Sequence, residues 1–169
     1  MLQVDLRELA RGPVDTQGQL AGSDPLFEGV TVALVEPVCV AGRLQAAGEG
    51  RFYWRASLRT RMAGECRRCL AAVTVPVVAD VDALFSQDPD ALEDPNSYPL
   101  ARDATAIDLR VPVREELLLA LPQWVVCRDD CRGLCPRCGT DLNAGPCGCP
   151  PATDQRWSGL TALKHKLRD

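Results

Sequence analysis

Residues 51–62, which read RFYWRASLRTRM, alternate between two kinds of side chain. The even positions are mostly apolar, Phe52 and Trp54 among them, whereas four of the six odd positions are arginine. A period of two is typical of a β-strand with one face on a core and the other in solvent. The stretch therefore predicts a strand whose outer face is rich in arginine.

The sequence on both sides of this strand predicts further strands. Residues 70–85 alternate in the same way, and Pro76 indicates an edge or a bulge there. Residues 63–69 between the two strands would form the tip of a long hairpin. Residues 29–36 and 38–45 are short β-branched runs, which predict two more strands. The chain before them predicts a short strand or helical turn followed by a polar connection.

The second half of the chain predicts a loop, a helix and a cysteine-rich tail. Residues 87–106 are acidic and contain proline, so we expect a surface loop. A helix is predicted over 108–121, with Asp108 as its cap and Pro112 in its first turn. Residues 127–149 are rich in turn-forming residues. A last helix is predicted from Thr153 or Asp154, and its apolar positions are Trp157, Leu160, Leu163 and Leu167.

Together these elements predict an α+β fold in two parts. Residues 1–122 would form a mainly antiparallel sheet or barrel-like core crossed by one helix. Residues 123–169 would form a zinc-ribbon-like tail that ends in the short helix.

Composition and charge exclude several classes of protein. The chain has 169 residues, of which 46% are hydrophobic and 25% charged, as in ordinary globular domains. No apolar run approaches the roughly 20 residues of a membrane span. Charges within the first eight residues interrupt any signal-peptide core, so we expect a cytoplasmic protein without a membrane partner. A formal net charge of −4 excludes the general attraction to phosphate of histone-like proteins.

The charge is unevenly distributed along the chain. Residues 43–68 contain seven arginines and two glutamates, whereas residues 80–108 contain eight acidic residues and one arginine. This asymmetry suggests one surface suited to a polyanion. The candidate RNA-binding residues are Tyr53, Arg55, Arg59 and Arg61. The alternative is that this face is simply solvated or pairs with the acidic segment.

The nine cysteines are the clearest chemical signal. Six of them fall within residues 127–149, Cys66 and Cys69 form a separate Cys-x2-Cys pair, and Cys39 stands alone. In a reducing compartment, thiols in such pairs are available to bind zinc, which takes four ligands tetrahedrally. The count favours two groups of four and one free cysteine. The first predicted site is Cys135, Cys138, Cys147 and Cys149, and the second is Cys66, Cys69, Cys127 and Cys131.

The second site would attach the cysteine-rich tail to the tip of the hairpin. The alternative is one zinc ion, with Cys66 and Cys69 free or redox-active. A catalytic zinc keeps an open position and usually has histidine or carboxylate ligands. The only histidine is His165, and no phosphate-binding glycine loop is present, so we expect structural zinc and no catalytic residues.

An ordered set of motifs resembles the YceD family of bacterial and plastid proteins, named for large ribosomal RNA subunit accumulation. The likeness spans residues 66–167. It rests on CRRC at 66–69, IDL at 107–109, EELLLALP at 115–122, the segment from Cys127 to Asn143, CGC at 147–149 and DQRW at 154–157.

The resemblance implies a non-enzymatic factor that supports synthesis, processing or stability of large-subunit ribosomal RNA, and thereby ribosome assembly. It implies a partner in that RNA or in a pre-ribosomal particle, with a ribosomal protein as a further partner. Two other functions stay open. One is a protein–protein adaptor that binds a ribosomal protein or a ribonuclease through residues 80–108, and the other is a thiol redox sensor at Cys66 and Cys69.

Overall fold

The computed structural model describes residues 2–88 and 96–150. These residues divide into two compact units. Within the described chain, the core unit lies in residues 2–64 and 72–125, and the cysteine-rich unit consists of residues 65–71 and 126–150. Among the described residues, no helix has the length and apolar character that a membrane crossing requires. The predicted helix after Thr153 lies outside the described residues.

The core unit is mostly β-sheet with few helices, which confirms the predicted fold class. Five strands form one sheet in the order β2-β3-β4-β5-β6, and β1 pairs with β7 in a second, two-stranded sheet. The pairs with a defined register are antiparallel, except that β5 and β6 run parallel. The strands and α-helices are β1 (Gln3–Asp5), α1 (Leu6–Leu9), β2 (Val14–Leu20), β3 (Val38–Ala46), β4 (Arg51–Glu65), β5 (Ala72–Ser86), β6 (Ser97–Pro99), β7 (Ala106–Asp108) and α2 (Arg110–Ala120), and a short 3-10 helix spans Pro25–Phe27.

Strand β4 has the alternation that its sequence predicts. Trp54 and Leu58 are fully buried, and the indole N–H of Trp54 donates to Thr16 Oγ1 at 3.0 Å. The arginines at odd positions are exposed. Burying Trp54 removes a large apolar surface from water, so this face of β4 provides much of the free energy that holds the sheet together.

Strand β5 follows its prediction, and helix α2 does so except at its N-terminal cap. Strand β6 pairs only with residues 84–86 of β5. At Pro76, therefore, β4 is the one strand beside β5 among the described residues, and the other edge of β5 is open, as the proline predicts. Helix α2 begins at Arg110, and its N-cap is Leu109, which makes no side-chain capping hydrogen bond. The prediction that Asp108 is the cap is therefore wrong: Asp108 ends β7, although its Oδ1 accepts a hydrogen bond from the Arg110 backbone N–H at 3.0 Å. Pro112 lies in the first turn and is buried with Val113 and Leu117.

Three predictions about the connecting segments are wrong. The polar connection before residue 24 contains β2, which pairs along its whole length with β3. The strand predicted at 29–36 is reduced to one bridge between Leu34 and Met62, because β3 already pairs with residues 52–59 of β4. The loop predicted at 87–106 contains β6. In each case a strand position is decided by the neighbour available for pairing, not by local propensity.

Candidate metal centres

Both Cys-x2-Cys pairs adopt the same backbone turn. The N–H of Leu70 donates to the carbonyl of Cys66 at 2.8 Å, and the N–H of Gly139 donates to the carbonyl of Cys135 at 2.9 Å. The N–H groups of Cys66 and Cys135 donate to the residue five positions ahead, each at 2.8 Å. Each turn therefore directs its two cysteine side chains to one side.

A residue with positive φ follows the second cysteine in each turn. Gly139 has φ +71° and Leu70 has φ +60°. Glycine adopts this conformation without cost, whereas leucine pays a steric penalty there. Leu70 is nevertheless 60% exposed, so burial of its side chain does not offset that penalty.

The eight cysteines of these segments come together in two groups of four. Within each group the four Sγ atoms all lie within 4.8 Å of one another. The sulfurs of Cys66 and Cys131 are 3.8 Å apart, and those of Cys69 and Cys127 are 3.7 Å apart. None of the nine cysteines forms a disulfide, and Cys39 is exposed and outside both groups. The members of the two groups are those that the spacing predicts.

The donor set and the spacing fit a divalent metal ion. A tetrahedron with sulfur ligands about 2.3 Å from zinc has edges of about 3.8 Å, which matches the two measured separations. A disulfide would instead require about 2.05 Å. Each group could therefore hold one metal ion with thiolate ligands alone.

The interior of the cysteine-rich unit consists of these cysteines. Apart from Gly133, its buried residues in the described chain are Cys66, Cys131 and Cys135. No helix or strand longer than a single bridge lies within residues 126–150. A segment with so little buried apolar side chain cannot offset the entropy of ordering its backbone, and small domains of this kind usually rely on a metal.

The environment of Cys66 favours its thiolate form. Burial alone would raise the pKa of this thiol, but the backbone N–H groups of Cys69, Cys127 and Arg68 donate toward the sulfur and lower the pKa to about 6. Proximity to Cys131 instead raises the pKa of Cys127 to about 12. Four neighbouring sulfurs cannot all ionise without a cation, so metal binding to this group has to release protons.

The other group has an equivalent arrangement. The hydroxyl of Thr140 lies 3.2 Å from Cys138 Sγ. Its hydrogen bond to the sulfur, together with the Thr140 N–H, lowers the pKa of the Cys138 thiol to about 6. Cys138 in turn raises the pKa of Cys149 to about 12.

Arg68 joins the tip of the hairpin to the segment around Cys131. Its guanidinium donates to the carbonyls of Asp129 and Cys131 at 2.8 and 3.0 Å, and its own carbonyl accepts from the N–H of Leu134 at 2.9 Å. Gly133 has φ +75°, and a Cβ there would lie 2.7 Å from the Arg68 carbonyl oxygen. Sequence reasoning missed Arg68 and Thr140, because spacing identifies ligands but not the groups that hydrogen-bond around them.

The four candidate RNA-binding residues lie on one exposed face of β4, which we call the arginine face. Tyr53 and Arg55 both donate to Asp82 of β5, with the Arg55 contact at 2.8 Å. Arg61 lies 3.9 Å from Glu36, whereas Arg59 forms no ion pair with any described residue. An open groove of about 680 Å³ adjoins Tyr53 and Arg55. The structure therefore places the four residues together and gives two of the three arginines an acidic neighbour.

Comparisons with known proteins agree with the motif order. Residues 54–164 match the family model described as Large ribosomal RNA subunit accumulation protein YceD. Uncharacterised proteins of Mycobacterium tuberculosis and Mycobacterium bovis are 38% identical over 104 residues, which is 59% of this chain and 49% of each relative. A protein of Mycobacterium leprae is 34% identical over 102 residues, or 59% of this chain and 46% of that relative.

The chain thus spans about half the length of the curated relatives it matches. No solved structure matches it. The family model covers well over half of the chain and includes both groups of four cysteines. This protein belongs to the YceD family.

Proposed function

We propose that this chain is a non-enzymatic factor that supports the synthesis, processing or stability of large-subunit ribosomal RNA in the cytoplasm. The family description, which names large ribosomal RNA subunit accumulation, supports this role. Its partner would be that RNA or a precursor of the large ribosomal subunit, with a ribosomal protein as a further contact.

The observation that carries this proposal is the composition of the two cysteine groups. Each offers four sulfur ligands and nothing else. Four thiolates complete a tetrahedron around zinc and leave no position for water or substrate, which is typical of structural sites. We therefore propose two zinc ions that stabilise the cysteine-rich unit and take no part in catalysis. Metal analysis of protein purified without chelator should give two zinc ions per chain, and less than one would contradict both sites.

The arginine face is the surface that we propose for RNA contact. Arg59 is exposed without an acidic neighbour in the described chain, and Arg61 forms only a long, exposed ion pair with Glu36, with 3.9 Å between Nε and Oε1. Both can exchange solvent or a weak ion pair for a phosphate. The Tyr53 ring and the groove beside it offer a flat surface for a base. Asp82 fixes Tyr53 and Arg55 in position, so this part of the face is ordered before RNA arrives.

A triple variant tests this surface. Arg55, Arg59 and Arg61 are replaced by Glu, and the matched control replaces the exposed Arg7, Arg11 and Arg102 by Glu, an equal change in charge. We expect the first variant, but not the control, to lose co-sedimentation with large-subunit precursors. The salt dependence of residual RNA binding should also fall by about 0.7 to 0.9 in slope for each phosphate that the variant no longer binds. Equal behaviour of the two variants would remove the arginine face from the proposal.

Two alternatives make different predictions. A protein–protein adaptor acting through residues 80–108 would stay bound to its partner after RNA digestion, whereas an RNA-bound factor would be released. A redox sensor requires Cys66 and Cys69 to react readily with oxidants and alkylating reagents. Zinc-bound sulfurs react slowly, so slow alkylation that becomes fast after chelation favours the structural role.

A further inference from the structure

The loop between Cys138 and Cys147 belongs to one cysteine group but packs on the segment that leads to the other. The N–H of Leu142 donates to the carbonyl of Gly133 at 2.9 Å, and Asp141 forms a β-bridge with Leu134. Residues 131–135 connect Cys131 of one group to Cys135 of the other. The loop that closes one group therefore also shapes the chain that positions a sulfur of the second.

The side chain of Asn143 extends from this loop to the sulfur of Cys131. Its Oδ1 accepts from the backbone N–H of Arg132 at 2.8 Å and from the guanidinium of Arg128 at 3.0 Å. Because a backbone N–H can only donate, this atom has to be the amide oxygen. The amide nitrogen then faces Asp141 Oδ1 at 2.6 Å and Cys131 Sγ at 3.6 Å.

We propose that Asn143 couples the two metal centres, so that metal binding by the Cys135 group raises the affinity of the Cys66 group for its own ion. This inference rests on the proposed zinc sites. An N–H that donates to a metal-bound thiolate stabilises its negative charge and fixes its orientation. Asn143 can do so only when its loop is ordered, and the loop is closed by ligands of the Cys135 group. Because coupling is reciprocal, the Cys66 group raises the affinity of the Cys135 group equally.

The test is a cycle of variants of the full chain, with zinc as the probe. Asn143→Ala is made in the wild-type background and in a Cys138→Ser/Cys149→Ser background that disables the Cys135 group. Chelator competition measures zinc affinity, and mass spectrometry of alkylated peptides identifies which cysteines lose their metal. With both groups intact, Asn143→Ala should weaken the Cys66 group about 10- to 100-fold. With the Cys135 group disabled, the same substitution should have little effect.

Thr140→Val is the matched control, because Thr140 contacts a sulfur of the Cys135 group. Thr140→Val should lower the zinc affinity of the Cys135 group more than that of the Cys66 group. The cysteines that become alkylated first should therefore differ from those in Asn143→Ala. Asn143→Asp keeps the acceptor for Arg132 and removes the donor to Cys131, so it should also weaken the Cys66 group. Wild-type affinity of Asn143→Asp, or equal effects of Asn143→Ala in both backgrounds, would overturn the coupling.

The outcomes separate this inference from the proposed metal sites. If the unaltered protein binds no zinc, the metal sites themselves fail. If it binds two ions, and Asn143→Ala binds two with unchanged affinities and an unchanged order of release, only the coupling fails.

Discussion

Individual residues in the cysteine-rich unit are constrained more by backbone geometry than by burial. The two Cys-x2-Cys turns share their hydrogen bonds, yet one has Gly139 and the other Leu70 at the position with positive φ. Because the two turns are alike, the backbone strain of leucine at positive φ can be compared with that of glycine at the equivalent position. This comparison also allows the leucine side chain to be examined separately from the turn.

Leu70→Gly should preserve zinc binding or improve it. Leucine at this φ costs about 1–2 kcal/mol of backbone strain, which the substitution relieves. Glycine also gives the unfolded chain more conformational entropy, and this opposing effect cancels about 0.5–1 kcal/mol of the stabilisation. We expect unchanged to about fivefold higher zinc affinity of the Cys66 group, measured by chelator competition. Gly139→Ala, with no atom within 4 Å of the added Cβ, should cost the Cys135 group about 1 kcal/mol. Weaker zinc binding by Leu70→Gly would show that its side chain supports the site.

At the scale of single elements, the sheet depends on close approach between β3 and β4. Gly42 of β3 lies opposite Ala56, and the fully buried Trp54 of β4 lies opposite Leu44 of β3. On the outer face of the same strands, Tyr53 and Arg55 share Asp82 of β5. Substitutions on the buried face should therefore act through side-chain volume, whereas substitutions on the outer face should act through charge.

Gly42→Ala should destabilise the core unit. Its Cβ would lie 2.4 Å from the Cβ of Ala56 and 2.5 Å from the carbonyl oxygen of Arg55, so the strands would have to separate. We expect a decrease of about 1–3 kcal/mol in the free energy of unfolding, measured by urea titration. The control is Gly64→Ala in β4, whose Cβ would meet its nearest neighbour, Val125, at 3.6 Å. A control that is destabilised as much as Gly42→Ala would contradict this explanation.

The stability of the sheet should depend on pH through Asp82. Hydrogen bonds from Tyr53 and Arg55 lower the pKa of this carboxyl below its ordinary value of 3.8. Its contribution is therefore complete above that value and is lost as the pH falls through the folded-state pKa. Asp82→Asn should reduce stability near neutral pH and flatten the pH profile below the ordinary carboxyl pKa of 3.8.

The control for Asp82→Asn is Asp15→Asn, which removes an exposed ion pair with Arg43 at 3.1 Å. Urea titrations across the acid range compare the two variants, and loss of metal at low pH affects both equally. The same profile for Asp15→Asn and Asp82→Asn would assign the effect to net charge and not to the Tyr53–Asp82–Arg55 contacts.

At the scale of the whole molecule, the two units are stabilised by different forces. The core unit has a contiguous set of buried apolar side chains, from Leu2 and Val4 to Val113 and Leu117. The cysteine-rich unit has three buried cysteines and no comparable apolar core among its described residues. Its stability should therefore depend on a bound metal in a way that the stability of the sheet does not.

Chelation should unfold one unit and leave the other folded. We expect residues 65–71 and 126–150 to lose protection from hydrogen exchange after metal removal, whereas β3, β4 and the middle of β5 keep theirs. Peptide-resolved exchange with and without a chelator measures this directly. Retention of protection in residues 126–150, or loss of protection throughout the sheet, would contradict the separate roles of metal and apolar core.

The sequence by itself determined β4, β5 and helix α2, because in each of them apolar residues recur with the period of a strand or a helix and form the buried face of that element. Close spacing along the chain also identified the group of Cys135, Cys138, Cys147 and Cys149. The second group joins pairs that are 58 residues apart at Cys69 and Cys127, and only the count of the remaining cysteines predicted it. The tertiary structure alone decided the strand at residues 14–20, the parallel pairing of β6, the acidic neighbours of the arginine face and the contact of Asn143 with Cys131. These features depend on contacts between residues that are distant or irregularly spaced in the chain, and local sequence patterns do not predict such contacts.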